Sequence, residues 1–216
     1  MSKLLYVISS PRGEQSESTR IADEFLTNYR RERPDVELRR LNLWEGSVPV
    51  YGGRGVAAKM TVFAGQTPPG DDGEAWAEVQ RVFRLFAEAD EYLFAVPMWN
   101  AGVPWVLKHL IDTITQPGMV FGFDPEAGYQ GLLSGKRAVV VYTSAVYGPG
   151  RPATFGSDFQ APYFSDWLAW AGVSAVEEIH FRPNLATAAA ETARQTAHQA
   201  AREAAVKLGS VAVTAR

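Results

Sequence analysis

Four small hydroxyl residues crowd one stretch near the start of the chain. Ser10, Ser16, Ser18 and Thr19 lie in the run Ser9-Ser10-Pro11-Arg12-Gly13-Glu14-Gln15-Ser16-Glu17-Ser18-Thr19. The start of a helix binds anions because its first amides are free and its dipole favours negative charge. Serine and threonine add donors there without filling the space that a phosphate needs. A helix cap accounts for one serine, but not for four hydroxyls around a single turn. The chemistry this turn offers is capture of a phosphate monoester. A second polar stretch, Pro97-Met98-Trp99-Asn100, follows a short apolar run, and a third starts at Thr143-Ser144. Taken alone, the second is equally well read as core filling by Met98 and Trp99 with Asn100 as a cap.

These loops must be positioned by the elements around them. Leu4–Ser9 reads as a first strand, and Ser18 to about Arg33 as an amphipathic helix with Ile21, Phe25 and Tyr29 on one face. Val36–Leu41 alternates apolar and charged, as an edge strand does. Residues 42–71 are rich in Gly and Pro and read as a long excursion with one short helix. Asp72 to about Ala89 is a second helix. Tyr92 to Val96 is a strand buried on both faces, and Val103, Leu107, Leu110, Ile111 and Ile114 then recur at helical spacing after Pro104. Gly118–Gly135 reads as a loop, Arg137–Thr143 as a fourth strand, and Ser144–Gly156 as a glycine-rich loop. Phe159–Trp170 is a helix, Ala175–Phe181 a fifth strand, and Ala186–Leu208 a long final helix. Strands alternating with helices imply an α/β fold, a doubly wound parallel sheet with helices on both faces. A flavodoxin-like order 2-1-3-4-5 puts the polar second strand at the edge and the apolar first strand inside. In such sheets ligands bind at the carboxyl ends of strands, where all three polar loops start.

Other chemistries are excluded by composition. There is no cysteine, so disulfides, thiol catalysis and thiolate metal sites are absent. The three histidines, His109, His180 and His198, have no metal-ligand spacing. No P-loop and no G-x-S-x-G elbow occurs. Gly53-Arg54-Gly55-Val56-Ala57-Ala58 matches G-x-G-x-x-A but does not join a first strand to its helix, so it is read as a flexible loop. A net charge of −3 gives no footprint for nucleic acid. The apolar run near the N-terminus is too short for an export signal or a membrane span, so a cytoplasmic protein forming one domain over residues 1–216 is expected.

The motifs together resemble the FMN-dependent NADH-azoreductase and NADH:quinone oxidoreductase family, which has a flavodoxin-like fold. The resemblance rests on the serines before the first helix, on PMWN, on the PGMVFGFDPEAGYQGLLSGK loop and on Thr143-Ser144. It implies that Ser10, Ser16, Glu17 (through its amide) and Ser18 hold the FMN phosphate. Met98, Trp99, Asn100 and Ala101 are implied along the isoalloxazine edge, and Ser144, Ala145, Val146 and Tyr147 at its pyrimidine end. The implied activity is hydride transfer from NADH or NADPH through bound FMN to a quinone or azo acceptor. Proximity and stacking then supply the catalysis and no acid–base dyad is needed. A reductase that hands FMNH2 to a partner monooxygenase, and a non-enzymatic flavodoxin-like electron carrier, are the alternatives.

The resemblance also implies a homodimer with Phe121, Phe123 and Trp170 near the flavin face. Phe164, Trp167 and Trp170 give the helix before the fifth strand more aromatic surface than one packed face needs. Two departures stand out. Ser144-Ala145-Val146-Tyr147-Gly148 replaces the family's Ser-Arg-Gly-Gly, and Ala101 replaces a common phenylalanine. Tyr147 is expected either over the open face, narrowing the acceptor pocket, or packed on Pro149 at the surface.

Overall fold

The structure is a computed structural model that describes residues 2–185 and 187–210. Its centre is a parallel five-stranded sheet. The strands are β1 (Lys3–Ile8), β2 (Glu37–Asn42), β3 (Glu91–Pro97), β6 (Arg137–Thr143) and β7 (Ala175–Phe181), in the order β2-β1-β3-β6-β7. Counting only sheet strands, that is the expected 2-1-3-4-5. The two missing numbers belong to a separate antiparallel hairpin, β4 (Phe121–Asp124) and β5 (Gly128–Gly131). Gly118–Gly135 is therefore not the simple loop its glycines suggest.

Period-two burial sorts the strand residues between two helical layers. Leu4, Tyr6, Leu93, Ala95, Val139 and Val141 face α1 (Glu17–Glu32) and α6 (Ala190–Ser210). Leu5, Val7, Tyr92, Phe94, Val96, Val140 and Tyr142 face α3 (Gly70–Glu88), α4 (Trp105–Ile114) and α5 (Ala161–Trp170). Both faces of β3 and β6 are thus covered, which is why they read as continuous apolar runs. The first residue of the expected last helix, Ala186, lies outside the described residues.

Two sequence expectations need correction. Gly53–Ala58 is not a flexible loop but the first half of α2 (Gly53–Phe63). Its glycines lower helix propensity, and tertiary packing overrides them: Ala58 is buried against Trp76, Val79 and Met119. Phe164 and Trp167 are not spare surface either. Phe164 is fully buried edge-on against Phe94, and Trp167 stacks on Phe164 inside the same core.

The end of the sheet away from the polar loops is tied by one buried carboxylate. Glu91, at the start of β3, is fully buried and accepts hydrogen bonds from Tyr29 of α1 and Arg137 of β6. Lys136 donates to the carbonyls of Ala87 and Ala89 beside it. Burial and the neighbouring Glu91 carboxylate push the Tyr29 phenol up from its ordinary range, so it stays a donor. These groups fix the strand starts and leave the carboxyl ends to carry loops.

Candidate functional site

At the carboxyl end of β1 the chain turns through Ser9 to Ser16 into α1. Ser9 is spent on structure: its Oγ donates to the Ala95 carbonyl at 2.6 Å, tying β1 to β3. Ser16 occupies the N-cap position of α1 yet makes no side-chain cap hydrogen bond. Its Oγ instead lies 3.0 Å from that of Ser18, and both side chains are buried. Thr19 Oγ1 is buried with no partner. The first intrahelical bond runs from Arg20 N to Ser16 O, which leaves the amides of Glu17, Ser18 and Thr19 without helical acceptors. Capping therefore does not account for these hydroxyls. They form a donor cluster at a helix start, suited to a small anion. Ser10, also buried, only accepts the Arg12 amide at 3.4 Å.

After β3 the backbone makes a tight two-residue turn. Trp99 and Gly102 exchange amide–carbonyl hydrogen bonds of 2.9 Å in both directions. The two residues between them, Asn100 and Ala101, have φ of 48° and 68°, the signs that a type I′ turn demands. Asparagine tolerates this region; alanine carries a steric cost there. The turn is held from two sides, by Met98 N on Thr143 O (2.7 Å) and by Phe159 N on Ala101 O (2.9 Å). Among the described residues the amides of Asn100 and Ala101 donate to nothing, so the strained turn presents two adjacent free donors.

The third loop follows β6. Ser144 donates its hydroxyl to the Tyr147 carbonyl, and Arg151 donates to the Val146 carbonyl at 2.9 Å. With those carbonyls engaged, the amides of Ala145, Val146 and Tyr147 have no acceptor among the described residues. Gly148 seats this loop on the Arg182-Pro183 segment just after β7, because a Cβ there would lie 2.4 Å from the Pro183 ring. The Tyr147 ring lies under the Arg182 guanidinium, 5.6 Å from its carbon. Arg182 is itself held by Asp158 at 2.6 Å and by His180 at 2.7 Å. Neither expected position of Tyr147, free over the face or packed on Pro149, anticipates this anchor.

Beside the second loop runs a cleft of about 1090 Å³ along α4, lined among others by Val50, Tyr51, Lys59, Asn100, Lys108 and His109. Its wall includes Trp99, Trp105 and His109, with Trp105 stacked on His109 at 6.4 Å. Trp44 backs this wall, 5.5 Å from Trp99 and 5.7 Å from Trp105. Trp105 is 60% exposed. Sequence reading missed Trp44 and Trp105. The only available signal was an indole on the first turn of α4, directly after the PMWN loop. Such a wall suits a flat, conjugated molecule.

The structure brings the three polar loops together at the sheet's carboxyl end but does not bring the expected acceptor-side aromatics to them. Phe121 packs on Trp170 at 4.9 Å and on Tyr129 at 5.4 Å, with Phe123 on Tyr129 at 5.1 Å. Helix α5 starts beside the end of β3, where Gln160 donates to Val96 O at 2.8 Å. Trp170 ends the same helix, ten residues and about 15 Å further on. Within one chain, Phe121, Phe123 and Trp170 are therefore removed from Ser16, Asn100 and Ser144. No group of three or more potential metal ligands occurs among the described residues.

The sequence profile of the flavodoxin-like fold family matches residues 2–206. The chain is 45% identical over 188 residues to an FMN-dependent NADH:quinone oxidoreductase of Ruegeria pomeroyi, covering 87% of this chain and 92% of that protein. It is 40% identical over 190 residues to the protein of the same name from Desulfotalea psychrophila, covering 88% and 89%. An azoreductase structure from Bacillus anthracis superposes with a TM-score of 0.88 at 24% identity, covering 96% of this chain and 100% of that one. The FMN complex of an FMN-dependent NADH-azoreductase from the same species gives 0.87 at 21% identity, over 97% and 100%. At these identities the two superpositions speak to the fold alone.

Proposed function

Because the chain belongs to the flavodoxin-like fold family, and its relatives are FMN-dependent NADH:quinone oxidoreductases, we propose that it is an FMN-dependent oxidoreductase that passes hydride from NADH or NADPH to a quinone or azo acceptor. One observation carries this reading beyond the relatives' names. Three loops, from β1, β3 and β6, converge with backbone amides that donate to nothing among the described residues. That donor set fits the cofactor. The hydroxyls of Ser16 and Ser18 with the amides of Glu17 and Ser18 would hold the phosphate, and Ser10 borders them. Met98 to Ala101 would line the ring edge, and Ser144 to Tyr147 its pyrimidine end.

Bound FMN supplies the two-electron chemistry. The chain's part is to hold and orient. The amides of Asn100 and Ala101 are fixed in direction by the strained turn and need no reorganisation to meet charge that develops on the ring edge. The amides after Ser144 do the same at the pyrimidine end without a titrating side chain. Trp99 and Trp105 offer an apolar platform that keeps water from a stacked partner.

A homodimer completes this picture. Phe121, Phe123 and Trp170 lie far from the loops of their own chain, so a second copy is the means by which they can face the ring. Phe123 is 62% exposed and Tyr129 is 61% exposed, as an uncovered interface aromatic would be. We place the activity in the cytoplasm, where the nicotinamide co-substrates are held; no helix among the described residues is long and apolar enough to cross a membrane. The test is to identify the flavin that co-purifies and to follow NADH and NADPH oxidation with quinone and azo acceptors. FMN retention with acceptor-dependent turnover is expected. A colourless protein that neither binds added FMN nor oxidises either nicotinamide overturns the reading.

A further inference from the structure

The turn proposed to hold a phosphate also carries a carboxylate. Glu17 is the first residue of α1, and its amide belongs to the donor set. A glutamate carboxyl carbon can lie no more than about 5 Å from its own backbone nitrogen, whatever its rotamer. A phosphate monoester brings a charge of roughly −1.5 to −2 at neutral pH. Two anions are thereby placed well inside the Debye length of about 8 Å, where salt screens poorly. The carboxylate suits the helix dipole when the turn is empty, but it opposes the dianion.

The structure holds a counter-charge. Glu17 Oε1 accepts from Arg194 Nη2 of α6 at 3.2 Å, across 177 residues of sequence. The Glu17 side chain is only 17% exposed. Arg194 is braced on its other side by Glu191 and lies over the Phe181 ring at 5.5 Å, so its guanidinium is confined to this spot. Glu17 Oε2 and Arg194 Nε are both buried and have no partner of their own among the described residues. The two charges are thus held together at the edge of the serine cluster, with Glu191 as the second acidic partner of Arg194.

We propose that Arg194 is a positioning residue for the cofactor phosphate. It holds the Glu17 carboxylate against α6 and cancels its charge, so that the amide of the same residue can serve a dianion. The assignment rests on the FMN reading above and deepens it. A purely structural role for the pair, clamping α1 to α6, is the competing account, and Arg202 and His198 already meet Glu24 on that interface.

The two accounts part on which ligand feels the change. Apoprotein affinity for FMN and for riboflavin, which lacks the phosphate, is measured by flavin fluorescence quenching, with thermal melts alongside. Arg194→Gln is expected to weaken FMN roughly tenfold, about the worth of one 1.4 kcal/mol interaction, and to leave riboflavin affinity unchanged. Arg194→Lys is expected to retain most FMN affinity. The double variant Glu17→Gln with Arg194→Gln removes both charges and is expected to recover it to within about threefold. Unchanged FMN affinity in Arg194→Gln, an equal loss for riboflavin, or no recovery in the double variant overturns the proposal. If Arg194→Gln does not fold, the double variant decides: it carries no net change in charge, and weak FMN binding by a folded double variant overturns the proposal too. Wild-type protein that binds riboflavin and FMN equally removes the phosphate site itself, and this inference with it.

Discussion

Ser16 and Ser18 show how a count of hydroxyls on one turn can point to chemistry before any geometry is known. Four hydroxyls on one turn exceed what capping can use, and the N-cap serine indeed does not cap. Replacing Ser16 and Ser18 by alanine removes two donors to a charged group, each worth roughly 1.5–3 kcal/mol. The double variant should remain folded and lose FMN affinity by more than a hundredfold; titration of the apoprotein checks this, and unchanged affinity refutes the role. Ala101 is the opposite case, since nothing in its type hints at φ of 68°. A β-branched side chain is far less tolerant of that region than alanine. Ala101→Val should therefore lower stability by about 1–3 kcal/mol, whereas Ala101→Gly should not lower it. Chemical denaturation of the two variants tests the strain, and equal stabilities would show that the turn is relaxed. Tyr147 and Arg182 were beyond sequence reading, because their contact depends on how the β6 and β7 loops meet.

At the scale of elements, what was legible followed from periodicity. The five sheet strands and the helices that cover them come directly from apolar runs and helical spacing, with most ends shifted by no more than two residues and the start of the last helix by four. One element escaped, the β4–β5 hairpin, and one was misplaced, since the short helix expected within 42–71 starts on the glycine run read as a loop. Helix α2 begins with three glycines in four residues, Gly52, Gly53 and Gly55, and only its packing under Trp76 and Met119 explains it. The β4–β5 hairpin pairs Phe121 with Gly131 and Phe123 with Tyr129, and strands of four residues with glycines give almost no alternation to read. The aromatic wall was invisible for another reason: Trp44, Trp99 and Trp105 come from three separate segments and meet only in the fold. Stacking on such a wall contributes about 0.5–1.5 kcal/mol. Trp105→Ala should raise KM for flat quinones roughly two- to tenfold while kcat and FMN affinity stay near wild type. Steady-state kinetics with a flat and a bulky acceptor decide it, and an unchanged KM for both would make Trp105 a surface residue only.

For the whole molecule, the consequential fact is distance. The loops that gather at the carboxyl ends of β1, β3 and β6 and the Phe121–Tyr129–Trp170 cluster occupy different regions of one chain. If two copies assemble so that each lends its aromatics to the other, the protein should run at twice the chain mass in light scattering. Turnover per chain should fall on dilution below the dimer dissociation constant. A particle of monomer mass with full activity at the same concentration would rule the shared site out. Sequence reading reached the dimer through the family resemblance and through the aromatic surface of Phe164, Trp167 and Trp170; of those three, Phe164 and Trp167 are core and drop out of the argument, while Trp170 is only partly buried. The exposed Phe123 and Tyr129 of the hairpin favour it as well.

The unused amides on the three loops have a further consequence, in the time domain. A backbone N–H with no acceptor trades its hydrogen with solvent quickly, whereas the sheet amides between β1, β3 and β6 open only with large parts of the fold. Segments 17–19, 100–101 and 145–147 should accordingly take up deuterium early in the apoprotein. They are far apart in sequence, so peptides carrying them report independently. Each should slow when FMN is added, and all three at the same flavin concentration, because one ligand would close them together. Riboflavin should slow the second and third and leave 17–19 fast. Deuterium uptake resolved by mass spectrometry would thus read the site as three separate addresses answering one occupant, without reference to catalysis.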